Sequence, residues 1–132
     1  MHSICVYSFS LLKEVASLNV DKELLKGSIP IMVLKLFTTE DMYGYQIIKQ
    51  LELLSKSAFS FKEGTLYPIL HSLEKMSYVE SYWQQSEIGR KRKYYHISQQ
   101  GQIYFNEKLE EWKYFIVSVN LILEGGTEDV SN

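Results

Sequence analysis

The densest cluster of charged side chains in this sequence is a run of four basic residues, Arg90-Lys91-Arg92-Lys93. Neighbouring like charges repel, so such a run is costly unless a dense line of opposite charge, such as the phosphates of a nucleic acid, compensates it. The alternative is a solvated hairpin whose lysines keep an edge strand from pairing with another chain. The run therefore predicts either contact with phosphates or a protected strand edge.

Side chains that could support catalysis or hold a metal are sparse. The histidines are His2, His71 and His96, and none stands at metal-ligand or triad spacing from a cysteine or carboxylate. No glycine-rich phosphate loop occurs. The single cysteine, Cys5, excludes an internal disulfide framework and a thiolate zinc site, and it fits a reducing cytoplasm. We expect no enzymatic activity, no metal and no cofactor.

The composition is that of one ordinary globular domain, with 132 residues, 45% hydrophobic and 23% charged. The net charge of −2 hides an asymmetry: residues 1–98 carry 12 basic against 10 acidic side chains, and residues 99–132 carry 2 against 6. No apolar stretch approaches the roughly 18 residues that span a bilayer, so no membrane partner is expected. The two ends of the chain therefore face different electrostatic surroundings.

The first twenty residues are mildly apolar but lack the basic start, continuous apolar run and cleavage site of a signal peptide. Two interpretations remain open for this N-terminal extension, residues 1–20. It is either a loosely attached helix or turn, or a segment outside the natural product, whose start then lies near Asn19.

Two helices are predicted before the segment that carries the polar face described next. Residues 22–38 form a helix with an interruption, where Ser28 caps a restart and Pro30 falls in the first turn. Residues 43–55 follow a spacing of 3.6 and form a second amphipathic helix. Gly44 is a poor helix residue, and we expect it to let another backbone come close.

The third predicted helix, residues 63–76, has an apolar side and a polar side. Pro68 should bend or break it, but the apolar periodicity continues through the proline, so we predict one helix. The polar side could reach base edges or phosphates. Its candidate DNA-contacting residues are Thr65, Tyr67, Pro68, His71, Ser72 and Lys75.

A hairpin and a long helix complete the domain. Residues 79–84 and 91–98 are rich in β-branched and aromatic side chains, and Gly89 supplies the tip that joins them. Ser98 then caps a helix over residues 99–123. Apolar residues recur along it at spacings of 4 and 3, which is typical of a coiled-coil seam and predicts a homodimer. The seam residues are Phe105, Leu109, Trp112, Ile116, Val119 and Leu123.

The order helix, helix, helix, hairpin predicts a mainly α (α+β) fold, the winged helix-turn-helix, over residues 21–98. A dimerisation helix over residues 99–124 and a tail over 125–132 follow. In such a fold the third helix enters the major groove and the hairpin, or wing, follows the backbone, here with Arg90, Lys91, Arg92 and Lys93 on phosphates.

Four sequence blocks resemble the PadR family of bacterial transcriptional regulators. They are GYQII at 44–48, EGTLYPIL at 63–70, LE at 73–74 and GRKRKYY at 89–95, and the resemblance spans about residues 23–123. It implies a winged-helix DNA-binding domain, a dimer formed through the C-terminal helix, and repression often relieved by small aromatic compounds or drugs. The single C-terminal helix resembles the compact branch of the family, which includes multidrug-responsive repressors.

Three positions depart from what is common in the family. Ser72 stands where an arginine is frequent, Ser77 where a glycine is frequent, and Lys62 where a capping serine is frequent. The first change could remove a base or phosphate contact, and the third predicts a less well capped third helix. These changes affect the expected operator more than the expected fold.

The resemblance and the pattern together predict a cytoplasmic homodimeric repressor of an inverted-repeat operator on double-stranded DNA. Thr65 and Tyr67 would position the backbone at the helix start. Trp112 either fills the dimer core or, with its symmetry mate, bounds a slot for a planar aromatic effector. The rival function is a winged-helix dimer without DNA binding that acts as a ligand- or protein-binding module.

Overall fold

The computed structural model describes residues 20–125. The predictions for residues 1–19 and for residues 126–132 therefore lie outside the described part of the chain. Over the described residues the predicted helices and hairpin are confirmed within one or two residues at each end. The elements are α1 Lys22–Leu25, α2 Ile29–Phe37, β1 Met42–Tyr43, α3 Gly44–Leu54, α4 Glu63–Lys75, β2 Val79–Gln85, β3 Lys91–Ile97 and α5 Gln99–Leu123.

The core forms where the apolar sides of α2, α3 and α4 meet the inner face of the hairpin. Its most deeply buried side chains are at most 1% exposed and include Val33, Leu34, Ile47 and Leu70. The predicted winged helix, mainly α with a small antiparallel sheet, is confirmed by this arrangement. Burying these aliphatic side chains contributes about 1.5–3 kcal/mol each before the loss of conformational entropy.

The break between α1 and α2 falls where the sequence predicts it, but its chemistry differs. The Ser28 hydroxyl donates a hydrogen bond back to the Leu25 carbonyl at 3.0 Å, and it makes no capping bond to α2. The predicted capping role of Ser28 is therefore wrong. Pro30 does occupy the first turn of α2, where its missing N–H leaves no helical bond unmade.

The sheet has three antiparallel strands in the order β1-β3-β2, and β1 is one strand more than the sequence predicts. Met42 pairs with Tyr95 and Tyr43 with Tyr94, so β1 covers part of one edge of β3. A two-residue strand carries no periodicity that a sequence pattern could reveal. Because side chains alternate along a strand, Tyr95 points into the core and Tyr94 points outward.

Asp41 ties the loop before β1 to the outer face of the hairpin. Its Oδ2 accepts a hydrogen bond from the Tyr82 hydroxyl at 2.6 Å, and its Oδ1 lies 2.8 Å from Nδ1 of His96. Burial raises the pKa of Asp41, but the hydrogen bonds from Tyr82 and His96 outweigh it, and the pKa lies below its usual value. The bond to Asp41 raises the pKa of Tyr82 to about 12. The carboxylate form therefore holds this junction together.

The start of α5 is fixed closely against the start of β2. The Ser98 hydroxyl oxygen accepts a bond from the Gly101 N–H at 2.9 Å, which confirms the predicted cap. The Ser98 N–H donates to the Tyr78 carbonyl at 3.0 Å, and the rings of Tyr78 and Tyr104 stack with centroids 4.0 Å apart. A Cβ added at Gly101 would overlap the Tyr78 carbonyl oxygen and lie 2.8 Å from its carbonyl carbon. Only glycine fits this contact.

Candidate nucleic-acid interface

The polar side of α4 is open along its whole length. The helix continues unbroken through Pro68, as the periodicity predicts, while Leu66, Leu70 and Leu73 anchor the opposite side in the core. Lys62 precedes the helix without a side-chain capping bond, so it supplies no acceptor for the N–H groups of the first turn. Every residue predicted to contact DNA from this helix is exposed: Thr65, Tyr67, Pro68, His71, Ser72 and Lys75.

Tyr67 rests on Gly44, which explains the glycine. A Cβ at Gly44 would lie 2.7 Å from both Cε1 and the hydroxyl oxygen of Tyr67. The neighbour that needs this space is therefore a side chain, and the prediction that a backbone approaches Gly44 is wrong. Burial, with a smaller contribution from the charge of Glu63, raises the pKa of Tyr67, so its hydroxyl stays a hydrogen-bond donor at neutral pH. The ring remains 37% exposed at the side of α4 that is nearest the wing.

The tip of the wing presents two unengaged cations. The turn is closed by the Ser86 N–H bond to the Arg90 carbonyl at 2.8 Å, and Gly89 has the left-handed φ of +84° that such tips require. Arg90 and Lys91 follow this turn, and both side chains are exposed. Neither takes part in a salt bridge with the residues that the structure describes.

The other two basic residues of the run lie against the protein. Arg92 places its guanidinium over the ring of Tyr43, 4.3 Å from the centroid. Lys93 places Nζ 3.6 Å from Oε1 of Glu74 on α4. Alternation along β3 turns these two side chains to opposite faces of the sheet, although Arg90, Arg92 and Lys93 all border one cleft at the edge of the wing. The run that looks uniform in sequence is divided by the fold into an exposed pair and a packed pair.

The last helix carries apolar side chains well beyond the domain core. Phe105 is 5% exposed and belongs to the core of its own chain, and Leu109 packs against that core, so the seam predicted from Phe105 onward offers its first exposed member at Trp112. Trp112 is 40% exposed and borders an apolar groove of about 560 Å³ between α2, α3 and α5. The remaining seam residues are the half-buried Ile116 and Val119 and the exposed Leu123.

The sequence of this chain matches a known protein family. The sequence profile of the transcriptional regulator PadR-like family matches residues 33–107. The chain belongs to the PadR-like family. A protein of Lysinibacillus sphaericus described as uncharacterized is 33% identical over 106 residues, which cover 80% of this chain and 97% of that protein.

Two solved structures of similar proteins extend the match to the fold. A transcriptional regulator from Clostridium thermocellum shares 32% identity at a TM-score of 0.69, covering 74% of this chain and 95% of that one. A PadR-like transcriptional regulator from Bacillus cereus shares 31% identity at a TM-score of 0.68, covering 78% and 98%. PadR proteins are transcription regulators and not enzymes. Among residues 20–125 no helix is long and apolar enough to cross a bilayer.

The departures from the common PadR pattern now have physical consequences. Ser77 has a φ of +66°, a left-handed conformation that costs a non-glycine residue about 1 kcal/mol or more. Ser72 is exposed on the open side of α4, so a short hydroxyl stands where a longer cation is frequent in PadR proteins. An aromatic surface beside the wing, formed by Trp83 of β2 and Tyr45 of α3, was not predicted from the sequence. The alternation of β2 was the available signal, because it places Trp83 on the same face as Ser81 and the buried Val79.

Proposed function

We propose that this chain is a cytoplasmic homodimeric repressor that binds an inverted-repeat operator and is released by a small aromatic ligand. The observation that carries the DNA-binding part is the placement of the exposed Arg90 in one cleft with Tyr67 of α4, with the exposed Lys91 next to it in the wing. In a winged helix, α4 then reads the major groove while the wing follows the adjacent backbone. A binding module freed from DNA would have no reason to keep this pair exposed and outside every salt bridge of residues 20–125.

The residues divide into two roles. Thr65 and Tyr67 stand in the first half of α4, and we assign them with the exposed wing pair to phosphates, because N–H groups at a helix start favour anions. His71, Ser72 and Lys75 stand further along the open side, and we assign them to base edges or to the phosphates beside them. Pro68 fixes the shape of the helix between the two groups.

Dimerisation is proposed to run along α5. Its 25 residues extend about 37 Å, more than one small domain needs, and its second half exposes large apolar side chains. Pairing two copies along the predicted seam would cover its members in this half and hold two α4 helices about 34 Å apart, one turn of DNA. These members are Trp112, Ile116, Val119 and Leu123.

The operator model is tested by mapping genomic fragments of the source organism that the purified protein protects from nuclease. We expect enriched fragments to share an inverted repeat with half-site centres about 10 base pairs apart, because two symmetric heads read two symmetric half-sites. A shared motif without twofold symmetry would contradict the dimeric model, and fragments with no shared motif would contradict sequence-specific binding.

The groove beside Trp112 supports an aromatic effector. It is large enough for a small ligand and is walled by apolar side chains such as Ile31, Met32 and Phe59. The groove borders α2, α3 and α5 together, so a bound ligand would change how α5 packs against the DNA-binding domain. If the effector binds more tightly when the two DNA-binding domains are at a different spacing, it lowers operator affinity by the ratio of its affinities for the two spacings. No chemical step is needed.

We expect planar aromatic compounds to quench the fluorescence of Trp112 and to weaken operator binding over the same concentration range. The measurement uses a Trp83→Phe background, because Trp83 is the only other tryptophan of the chain. The matched variant adds Trp112→Ala, which leaves no tryptophan to follow, so its readout is operator binding: the compounds should no longer weaken it. Unchanged release of the operator in that variant would place the effector elsewhere, and release by no compound would refute the effector.

A further inference from the structure

Trp83 is an exposed indole on the inner face of the wing. It stands opposite Lys93 in the β2–β3 ladder, so both side chains point to the face on which Tyr95 is buried. Beyond Tyr95 the core ends, and Trp83 is 66% exposed. The hairpin thus continues the core face outward and presents a large apolar ring where no part of the described chain covers it.

The ring forms one wall of a cleft of about 350 Å³ between the wing, α4 and the start of α3. Tyr67 of α4 and Tyr45 of α3 supply further aromatic surface, and Tyr45 is itself 54% exposed. Arg90 and Lys93 line the same cleft. It therefore combines apolar ring faces with cations, and it lies between the two elements assigned to DNA.

We propose that this cleft holds one stretch of the sugar–phosphate backbone of duplex DNA, with the indole of Trp83 packed against a deoxyribose. A nucleotide backbone alternates an apolar sugar edge with an anionic phosphate, and the cleft offers a partner to each: the indole to the sugar and Arg90 to the phosphate. Duplex DNA is the occupant that fits, because the cleft is continuous with the open side of α4 and with the exposed wing cations. This inference rests on the proposed DNA-binding function and adds a contact that carries affinity without charge.

The absence of charge gives the contact its own signature. Trp83→Ala should weaken binding to every duplex sequence about 10-fold while leaving the slope of log affinity against log salt unchanged, because no phosphate charge is lost. Arg90→Ala should instead reduce that slope by about 1 for each protomer. Trp83→Phe should restore most of the affinity, because phenylalanine keeps an aromatic face. Ile88→Ala is the matched control, since Ile88 is an exposed apolar residue of the same wing outside the cleft.

The measurement titrates each variant with a random-sequence duplex of about 25 base pairs at several salt concentrations. In a Trp112→Phe background, Trp83 is the only tryptophan, and its emission should change saturably with the same apparent affinity. The inference is overturned if Trp83→Ala binds the duplex as tightly as Ile88→Ala does and the emission of Trp83 does not change when the duplex binds. The proposed DNA-binding function would survive that result. A reduced salt slope in Trp83→Ala also overturns the inference, since the indole would then act by displacing a cation. Failure of the wild type to bind any duplex overturns the proposed function, and the inference with it.

Discussion

Replacing Gly101 by alanine is expected to lower the free energy of unfolding by roughly 3 kcal/mol or more. The added methyl would overlap the carbonyl oxygen of Tyr78, which is backbone and cannot rotate away as a side chain could. That carbonyl also accepts the Ser98 N–H, so moving it breaks the connection between β2 and the start of α5. Urea denaturation followed by circular dichroism measures the loss.

Gly64→Ala is the matched control for this substitution. Gly64 is also a helical glycine, but a Cβ added there meets no atom within 4 Å. Alanine at this position should leave the free energy of unfolding unchanged or raise it by up to about 1 kcal/mol, because alanine is the better helix former. If the free energies of unfolding of the Gly101→Ala and Gly64→Ala variants differ by less than about 1 kcal/mol, α5 does not approach Tyr78 as closely as the structure shows.

Removing both exposed wing cations, Arg90→Ala with Lys91→Ala, is expected to weaken duplex binding about 4,000-fold at 100 mM salt. A dimer would lose four phosphate contacts, and each contributes about 0.9 to the slope of log affinity against log salt. If the affinities of variant and wild type converge near 1 M salt, a slope change of about 3.6 gives this loss at 0.1 M. The loss should be the same for operator and random duplexes, since phosphate contacts carry no sequence information.

Two further variants separate wing contact from overall charge. Lys108→Ala with Lys113→Ala removes the same charge from α5, where both lysines pair with glutamates one turn away, and should leave duplex binding nearly unchanged. Lys93→Ala should have a smaller effect than Arg90→Ala, because Lys93 already pairs with Glu74. Equal losses from the α5 pair and the wing pair would show that net charge, and not the wing, governs affinity.

The helices were predictable because periodicity reports directly on which side is buried. The apolar spacing carried α4 correctly through Pro68, against the local preference of proline to end a helix. Tertiary burial of Leu66, Leu70 and Leu73 prevails there over a local backbone cost. The open side of α4 followed from the same periodicity, and so did every candidate residue on it.

The features that the sequence did not reveal depend on contacts between distant segments. The division of the basic run needs the register of β3 and the positions of Tyr43 and Glu74, which come from elsewhere in the chain. Gly101 did offer a local signal, as a glycine inside a strong helix, but its reason lies in Tyr78, over twenty residues earlier. Phe105 fits the spacing of the seam, but it is buried in the core of its own chain. Periodicity shows that a side chain is covered, and it does not show whether the same chain or a second copy covers it.

A single residue, Ser98, separates the wing from α5, and its backbone and side chain are both bonded to the turn before β2. Because this one-residue connection is fixed by hydrogen bonds, we expect the wing and α5 to move together as one rigid unit that pivots at the base of the wing. A tilt of about 5° at this pivot moves the C-terminal end of α5, about 37 Å away, by about 3 Å. In the proposed dimer, a shift of about 3 Å where the two helix ends meet would therefore change the orientation of each DNA-facing surface by only about 5°.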